Sequence, residues 1–277
     1  MRIAYLMNGV IGGLGSKNYE ASKSDIRKKI IEYTSKTHHF INNDVEIDYF
    51  IFSWEPELEN IYQQFYSPKK IKCVPQIIFD VPDHFKNPNS IPTIINGIEE
   101  TNAETGIDNY PRIQAHYSRW DGTLEVSKMC QKYSLENNIN YDLVVNARLD
   151  LCFQNKINFN NFETTKFHSS RPVNLPSYGW PRNNELIDHI FLSDPQNMFR
   201  FMTLYNYLND YTKPGQCPSW KSISSHFLSV WHLNKIGLLN KETISDSHLT
   251  CWDNGYNSDT DYYIFRYKET ENELPIP

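Results

Sequence analysis

The sequence lacks several features that would each have settled its class. No segment approaches the run of about 18 apolar residues that a membrane-spanning helix requires. Basic residues are not in surplus: 27 Lys and Arg stand against 33 Asp and Glu, a net charge of −6, so the dense basic face of a nucleic-acid binder is missing. The five cysteines (Cys73, Cys130, Cys152, Cys217, Cys251) are odd in number and form no CxxC or CxxH spacing. Neither a zinc site nor a disulfide framework is supported, and reduced thiols are the simplest account. There is no GxxxxGK[ST] phosphate loop, no internal repeat and no domain-scale linker. The opening MRIAYLMNGVIGGLG holds one Arg, an apolar stretch of strand length and no small-residue cleavage site, so a soluble, unexported protein is expected.

What is present is enough apolar material for one large domain: 277 residues, 39% hydrophobic and 14% aromatic. Arg2 to Met7 reads as a strand running into a loop with Gly9, Gly12, Gly13 and Gly15. That spacing is not the dinucleotide fingerprint, and the loop reads equally as a tight turn or as backbone that lets Asn8 and Gly9 approach a nucleoside. Ser24 precedes a helix marked by Ile26, Ile30 and Tyr33, and Val45 to Pro56 is a second strand. PELENIYQQFY starts a short helix, and Lys69 to Pro82 holds one or two short strands. From Pro82 to Pro111 the composition predicts an extended loop. Beyond Pro111, Ile113, Tyr117, Trp120 and Leu124 mark a helix that feeds the next strand.

Asn158 to Pro181 reads as irregular, IDHIFLSDP as a strand, and Pro195 as the start of a helix with Met198, Met202 and Leu208 on one face. Ser219 is a candidate cap for a last helix ending near Gly237, and Tyr256 to Lys268 reads as a final strand or ordered tail. The alternation predicts an α/β fold, a single domain over 1–277 with further elements wrapped around the sheet of the first half.

The stretch NINYDLVVNARLDLCF, Asn138 to Phe153, places Asn146, Arg148 and Asp150 at every second position. On a strand those side chains share one face, while Val145, Ala147, Leu149 and Leu151 share the other. A carboxylate at the carboxyl end of such a strand is placed to hold a divalent cation, and the arginine to hold either that carboxylate or a phosphate. A structural Arg–Asp pair fits the spacing equally well.

YDLVVNARLDL resembles the YDxVxRxRxDL stretch of a broad group of bacterial and viral GT-A-fold glycosyltransferases, in which Arg-x-Asp stands at the usual Asp-x-Asp position. MRIAYLMNG, VEIDYFIFSWEP, HYSRWDGTLEVSKMCQKY and ELIDHIFLSDPQNMFRF resemble further stretches of the group in the same order. The resemblance implies a GT-A-like, mostly parallel central sheet flanked by helices with a C-terminal helical extension. Residues 1–155 would form the nucleotide-sugar-binding half and 156–277 the acceptor half.

It also implies transfer of a sugar from a nucleotide-sugar donor to a hydroxyl of a glycan, or of a hydroxymethylated DNA base if the source is viral. Asn8, Gly9, Asn146, Arg148, Asp150, Trp180 and Arg182 are the candidate substrate-binding residues, Trp180 and Arg182 because rings stack on sugars and guanidinium groups grip phosphates. Asp188 is the candidate catalytic base or acceptor-orienting group. A divalent metal, Mn or Mg, would sit on Asp150 with His248. Two departures stand out: Asn146 replaces the first Arg of the pattern, and Arg148 leaves one carboxylate where Asp-x-Asp has two. The alternatives are a non-catalytic carbohydrate- or nucleotide-binding protein with a degenerate GT-A fold, and a nucleotidyltransferase. The expected setting is the cytoplasm of a bacterium or a virus-infected host cell. His38, His39, His116, His226 and His232 receive no role.

Overall fold

A computed structural model describes residues 1–11, 24–41, 45–83, 93–95, 98–100, 105–172, 186–213, 215–217, 224–240, 244–245, 249–252 and 259–265. The first strand, β1 (Arg2–Gly9), has apolar residues on both faces: Ala4 and Leu6 enter one core, Ile3, Tyr5 and Met7 the other. A strand covered on both sides reads as a continuous apolar run, as this one does. The chain then runs through α1 (Ser24–Thr37), β2 (Glu46–Ser53), α2 (Glu59–Tyr66) and β3 (Lys70–Cys73), each strand parallel to the one before.

A two-stranded hairpin, β4 (Thr93–Ile95) and β5 (Ile98–Glu100), precedes the long helix α3 (Thr105–Asn137). The described parts of the segment read as an extended loop up to Pro111 thus include regular elements: the helix starts before that proline and carries it inside, giving up one backbone hydrogen bond. Asn138 ends α3 with φ of +53°, the left-handed conformation that Asn tolerates at a helix terminus. α3 returns the chain to the middle of the sheet, where β6 (Leu143–Arg148) pairs parallel to β1 on the side opposite β2.

The remaining strands are β7 (Leu151–Phe153), β8 (His168–Pro172), β9 (Ile187–Ser193), β10 (Leu249–Trp252) and β11 (Tyr262–Ile264). Among the described residues the main sheet has nine strands in the order β3-β2-β1-β6-β9-β8-β10-β11-β7, mostly parallel, with β9 antiparallel to both neighbours and β7 antiparallel to β11. The α/β expectation holds at this level.

Two expectations of the second half change. β8 lies inside the stretch read as irregular; its buried positions include His168, Ser169 and Ser170, so no apolar alternation announced it. The helices α4 (Pro195–Phe201), α5 (Leu208–Tyr211) and α6 (Ser225–Lys235) are not a terminal extension, because the chain returns to the sheet through β10 and β11. α4 begins as its sequence predicts, with Pro195 in its first turn and Asp194 Oδ1 accepting from Asn197 N at 2.9 Å.

One core packs α3 and α4 against the sheet through Tyr117, Trp120, Met198 and Phe201, and the other packs α1 and α2 through Ile30, Ile31 and Tyr62. No helix among the described residues is long and apolar enough to cross a membrane.

Candidate functional site

The strand order reverses between β1 and β6: the chain winds outward from β1 to β3 and restarts at β6. In open α/β sheets the carboxyl ends of strands flanking such a reversal diverge and leave a crevice. Here that crevice is an open cleft of about 240 Å³, lined by Asn8 and Gly9 from β1, Arg148 and Asp150 from the end of β6, Arg119 from α3 and Asp188 from β9. β9 runs antiparallel to β6, so it presents its amino end at this edge.

Gly9 ends β1 at φ of +127°, a conformation strained for any residue with a Cβ. Beneath it, the Asn8 side chain joins β1, α3 and β6. Its Nδ2 donates to Arg119 O at 3.0 Å and Thr123 Oγ1 at 3.2 Å. Its Oδ1 accepts from Arg119 Nη1 at 2.7 Å and Asn146 Nδ2 at 3.0 Å. This close approach depends on Gly122, where a Cβ would lie 3.2 Å from both Asn8 Nδ2 and Phe52 Cδ1. Asn8 therefore fixes the cleft floor with an amide already engaged in the protein. Asn146 is fully buried under the cleft and does not line it; its Oδ1 has no partner among the described residues.

The polar row on β6 needs correcting. The strand ends at Arg148, and Leu149 and Asp150 form a turn. Two positions along, Asp150 is thus off the strand, yet it folds back so that Arg148 Nε and Nη2 donate to its two oxygens at 2.8 and 2.7 Å. The Asp150 side chain is 3% exposed and that of Arg148 28%. The pair is not sealed away, since both residues border the cleft.

Asp188 owes its orientation to an irregularity in β9. The partner of Ser169 is Phe191, but the partner of Ser170 is Ile187, where a regular ladder would reach Ile190. Asp188, His189 and Ile190 therefore bulge from the β8 edge, a device that re-aims side chains. The Asp188 carbonyl accepts from Arg119 Nη2 at 3.0 Å, and its Oδ1 lies 3.1 Å from His226 Nε2 on α6. Burial alone would raise the Asp188 carboxyl, but the His226 hydrogen bond and the charges of His226 and Arg119 outweigh it and hold the group well below the ordinary carboxylate range. Burial pulls the Arg119 guanidinium down to about 10, against the opposing pull of the Asp188 charge.

The structure thus gathers Asn8, Gly9, Arg148, Asp150 and Asp188 at one cleft and sets Asn146 below it. Trp180, Arg182 and His248 lie outside the described residues. Arg119, His116 and His226 are site residues that the sequence reading passed over. Arg119 had a signal: Ala115, Arg119 and Thr123 recur at helical spacing, a small and polar stripe beside the apolar face of α3. His116 Nδ1 bonds Ser225 Oγ at 2.8 Å across the cleft wall, a contact between distant segments that no local pattern announces.

Matched against known proteins, the chain fits no family model and no curated protein.

Proposed function

We propose that the chain is a GT-A-like glycosyltransferase that moves a sugar from a nucleotide-sugar donor to a hydroxyl acceptor. The observation that carries this reading is the meeting of Arg148, Asp150 and Asp188 at an open cleft on the carboxyl side of the β1–β6 reversal. The bond from the anomeric carbon to the terminal phosphate oxygen breaks and its electron pair stays on the diphosphate. The acceptor oxygen bonds the anomeric carbon and yields its proton to a base. Asp188 is the carboxylate placed for that role, since it lines the cleft and is ionised at neutral pH. Cationic groups at the cleft offset the charge that grows on the leaving group.

Of the two ligands the resemblance implies for a divalent metal, His248 lies outside the described residues and Asp150 is already engaged. Both Asp150 oxygens are taken by Arg148, and no three His, Cys, Asp or Glu side chains converge among the described residues. The acceptor is a glycan, or a modified DNA base. Against DNA, Arg27 of α1 is buried beside Glu55 and Glu57 at 3.2 and 2.8 Å, so its charge is met within the protein, while its neighbours Lys28 and Lys29 are exposed. The proposed setting is the cytoplasm, where thiols such as the five cysteines stay reduced.

A panel of UDP-, GDP-, CDP- and dTDP-sugars tests the reading by calorimetry and by donor hydrolysis. One donor should bind and be hydrolysed slowly, with both signals lost in Arg148→Ala. Failure of every donor to bind removes the reading. The engaged Asp150 carboxylate favours a second one, a carbohydrate- or nucleotide-binding protein without catalysis, which predicts donor binding with neither hydrolysis nor transfer.

A further inference from the structure

Arg119 is an unusual residue to find half-buried in the wall of a cleft. Two of its N–H groups are committed to Asn8 Oδ1 and the Asp188 carbonyl, and its buried Nε has no partner among the described residues. No carboxylate forms an ion pair with it among the described residues; its charge faces Asp188 only at longer range, and Arg148, the second guanidinium of the cleft, opposes it. Half-burying a cation without a bonded counter-charge is costly, and two cations at one cleft add to that cost. An anion entering the cleft would relieve both. Neutral ligands would not.

Arg148 is already oriented for such an anion. Asp150 grips one edge of its guanidinium bidentately, which fixes the plane of the group, and the side chain still reaches the cleft. Asp150 thereby acts as a positioning residue for the arginine, with neither of its oxygens presented to a cation.

We propose that Arg119 and Arg148 together clamp the diphosphate of the donor, and that this chain binds and turns over its donor without a divalent cation. The inference rests on the transferase reading and deepens it. As the bond between the anomeric carbon and the phosphate oxygen breaks, the electron pair left on that oxygen meets two guanidinium groups; the acceptor proton goes to Asp188. No other reactant is required.

The test is calorimetry of UDP, GDP, CDP and dTDP, and separately of inorganic pyrophosphate, each in EDTA and in excess MnCl2. Wild type is compared with Arg119→Lys, Arg148→Lys and Asp150→Asn. One nucleoside diphosphate should bind with the same affinity in both buffers. Each Arg→Lys change keeps the charge but loses the fork, and should weaken binding about tenfold or more. Asp150→Asn separates the models by its manganese dependence: a lost positioning carboxylate weakens binding equally in EDTA and in MnCl2, whereas a lost metal ligand weakens only binding supported by manganese.

Binding that needs manganese and collapses in Asp150→Asn overturns the clamp and leaves the transferase reading standing. Metal-free binding indifferent to Arg119→Lys removes Arg119 from the site. Pyrophosphate binding without any nucleotide keeps the clamp and removes the nucleotide-sugar reading, and binding of neither removes both. Should Arg119→Lys fail to fold by thermal melting, the more exposed Arg148→Lys carries the same decision.

Discussion

On the α1 face of the sheet, His38 lies among Tyr5, Tyr49, Tyr66 and Phe153, with ring centroids 5.1 to 5.4 Å away. Its Nδ1 meets Tyr49 OH at 3.0 Å, Thr34 Oγ1 meets Tyr66 OH at 2.9 Å, and the hydroxyls of Tyr33 and Tyr263 meet at 3.0 Å. On the α3 face, Asn8, Asn146, Thr123, Arg119 and Asp188 form a network of similar density. Both faces bury polar groups, and both leave some without a partner among the described residues, Tyr5 OH and Tyr62 OH on the first. The second leaves Arg119 Nε and Asn146 Oδ1 unanswered and borders open space. The polar groups of the α1 face are spent on a single packing, which is the use that stability makes of them. What sets the α3 face apart is access, since Asn8, Arg119 and Asp188 border the cleft and a ligand there can reach them.

The contrast breaks most sharply at Asp188. Asp188→Asn keeps the size of the side chain and its contact with His226 but removes the base, so transfer should fall by about 10²- to 10⁴-fold. The melting temperature should move by only a few degrees. A large loss of stability with activity per folded molecule retained would put Asp188 among the structural groups. The sealed face should answer in reverse. Phe153 is fully buried against His38 and Tyr262. Phe153→Ala should cost about 3–5 kcal/mol in denaturant unfolding, with donor affinity of the folded fraction unchanged.

The sequence makes the sheet side of this contrast readable and the site side only half so. β1, β2, β6 and β9 show as apolar runs because both faces are covered, and α1 and α3 show through periodic Ile, Tyr and Trp. Arg148 and Asp150 were visible as a pair by spacing, although a turn rather than a strand brings them together. Arg119 and His226 were not singled out. Their meaning lies in contacts between residues 69 and 38 positions apart, made possible by the bulge in β9. β8 stayed hidden because a strand built on His168, Ser169 and Ser170 carries none of the apolar alternation by which strands are read.

A smaller change sharpens the comparison from within the α3 face. Gly122→Ala should gain up to about 1 kcal/mol of helix propensity in α3. The added Cβ would press on Asn8 Nδ2 and Phe52 Cδ1, each 3.2 Å away. Phe52 is buried and the Asn8 side chain is bonded to both α3 and β6, so neither yields easily. Overpacking of this kind costs about 1–3 kcal/mol and should win. The net effect is a modest destabilisation by chemical unfolding, with weakened diphosphate binding because Asn8 carries Arg119. Unaltered binding would show that the floor does not position the arginine.

The least effect expected is one of pH, and the share of His38 belongs to the α1 face. Burial holds His38 down to about 3 and His232 to about 4, and pushes His189 well below its usual value. In the unfolded chain each returns to about 6.5. Below that pH the unfolded state takes up protons that the folded state refuses, so stability present at pH 7 is lost as pH falls, by about 1.4 kcal/mol per pH unit for each histidine. His38→Phe keeps an aromatic ring in the cluster and removes one share of that slope between pH 6.5 and 5. Urea unfolding of wild type and variant across that window measures the share directly. A diphosphate should leave the His38 share untouched, because the network around it does not reach the cleft. It should alter the share of His189, which feels the charge of Arg148 at the cleft edge. A ligand that changed the His38 share equally would mean that the two faces are coupled through β1 and are not the separate compartments their hydrogen bonds describe.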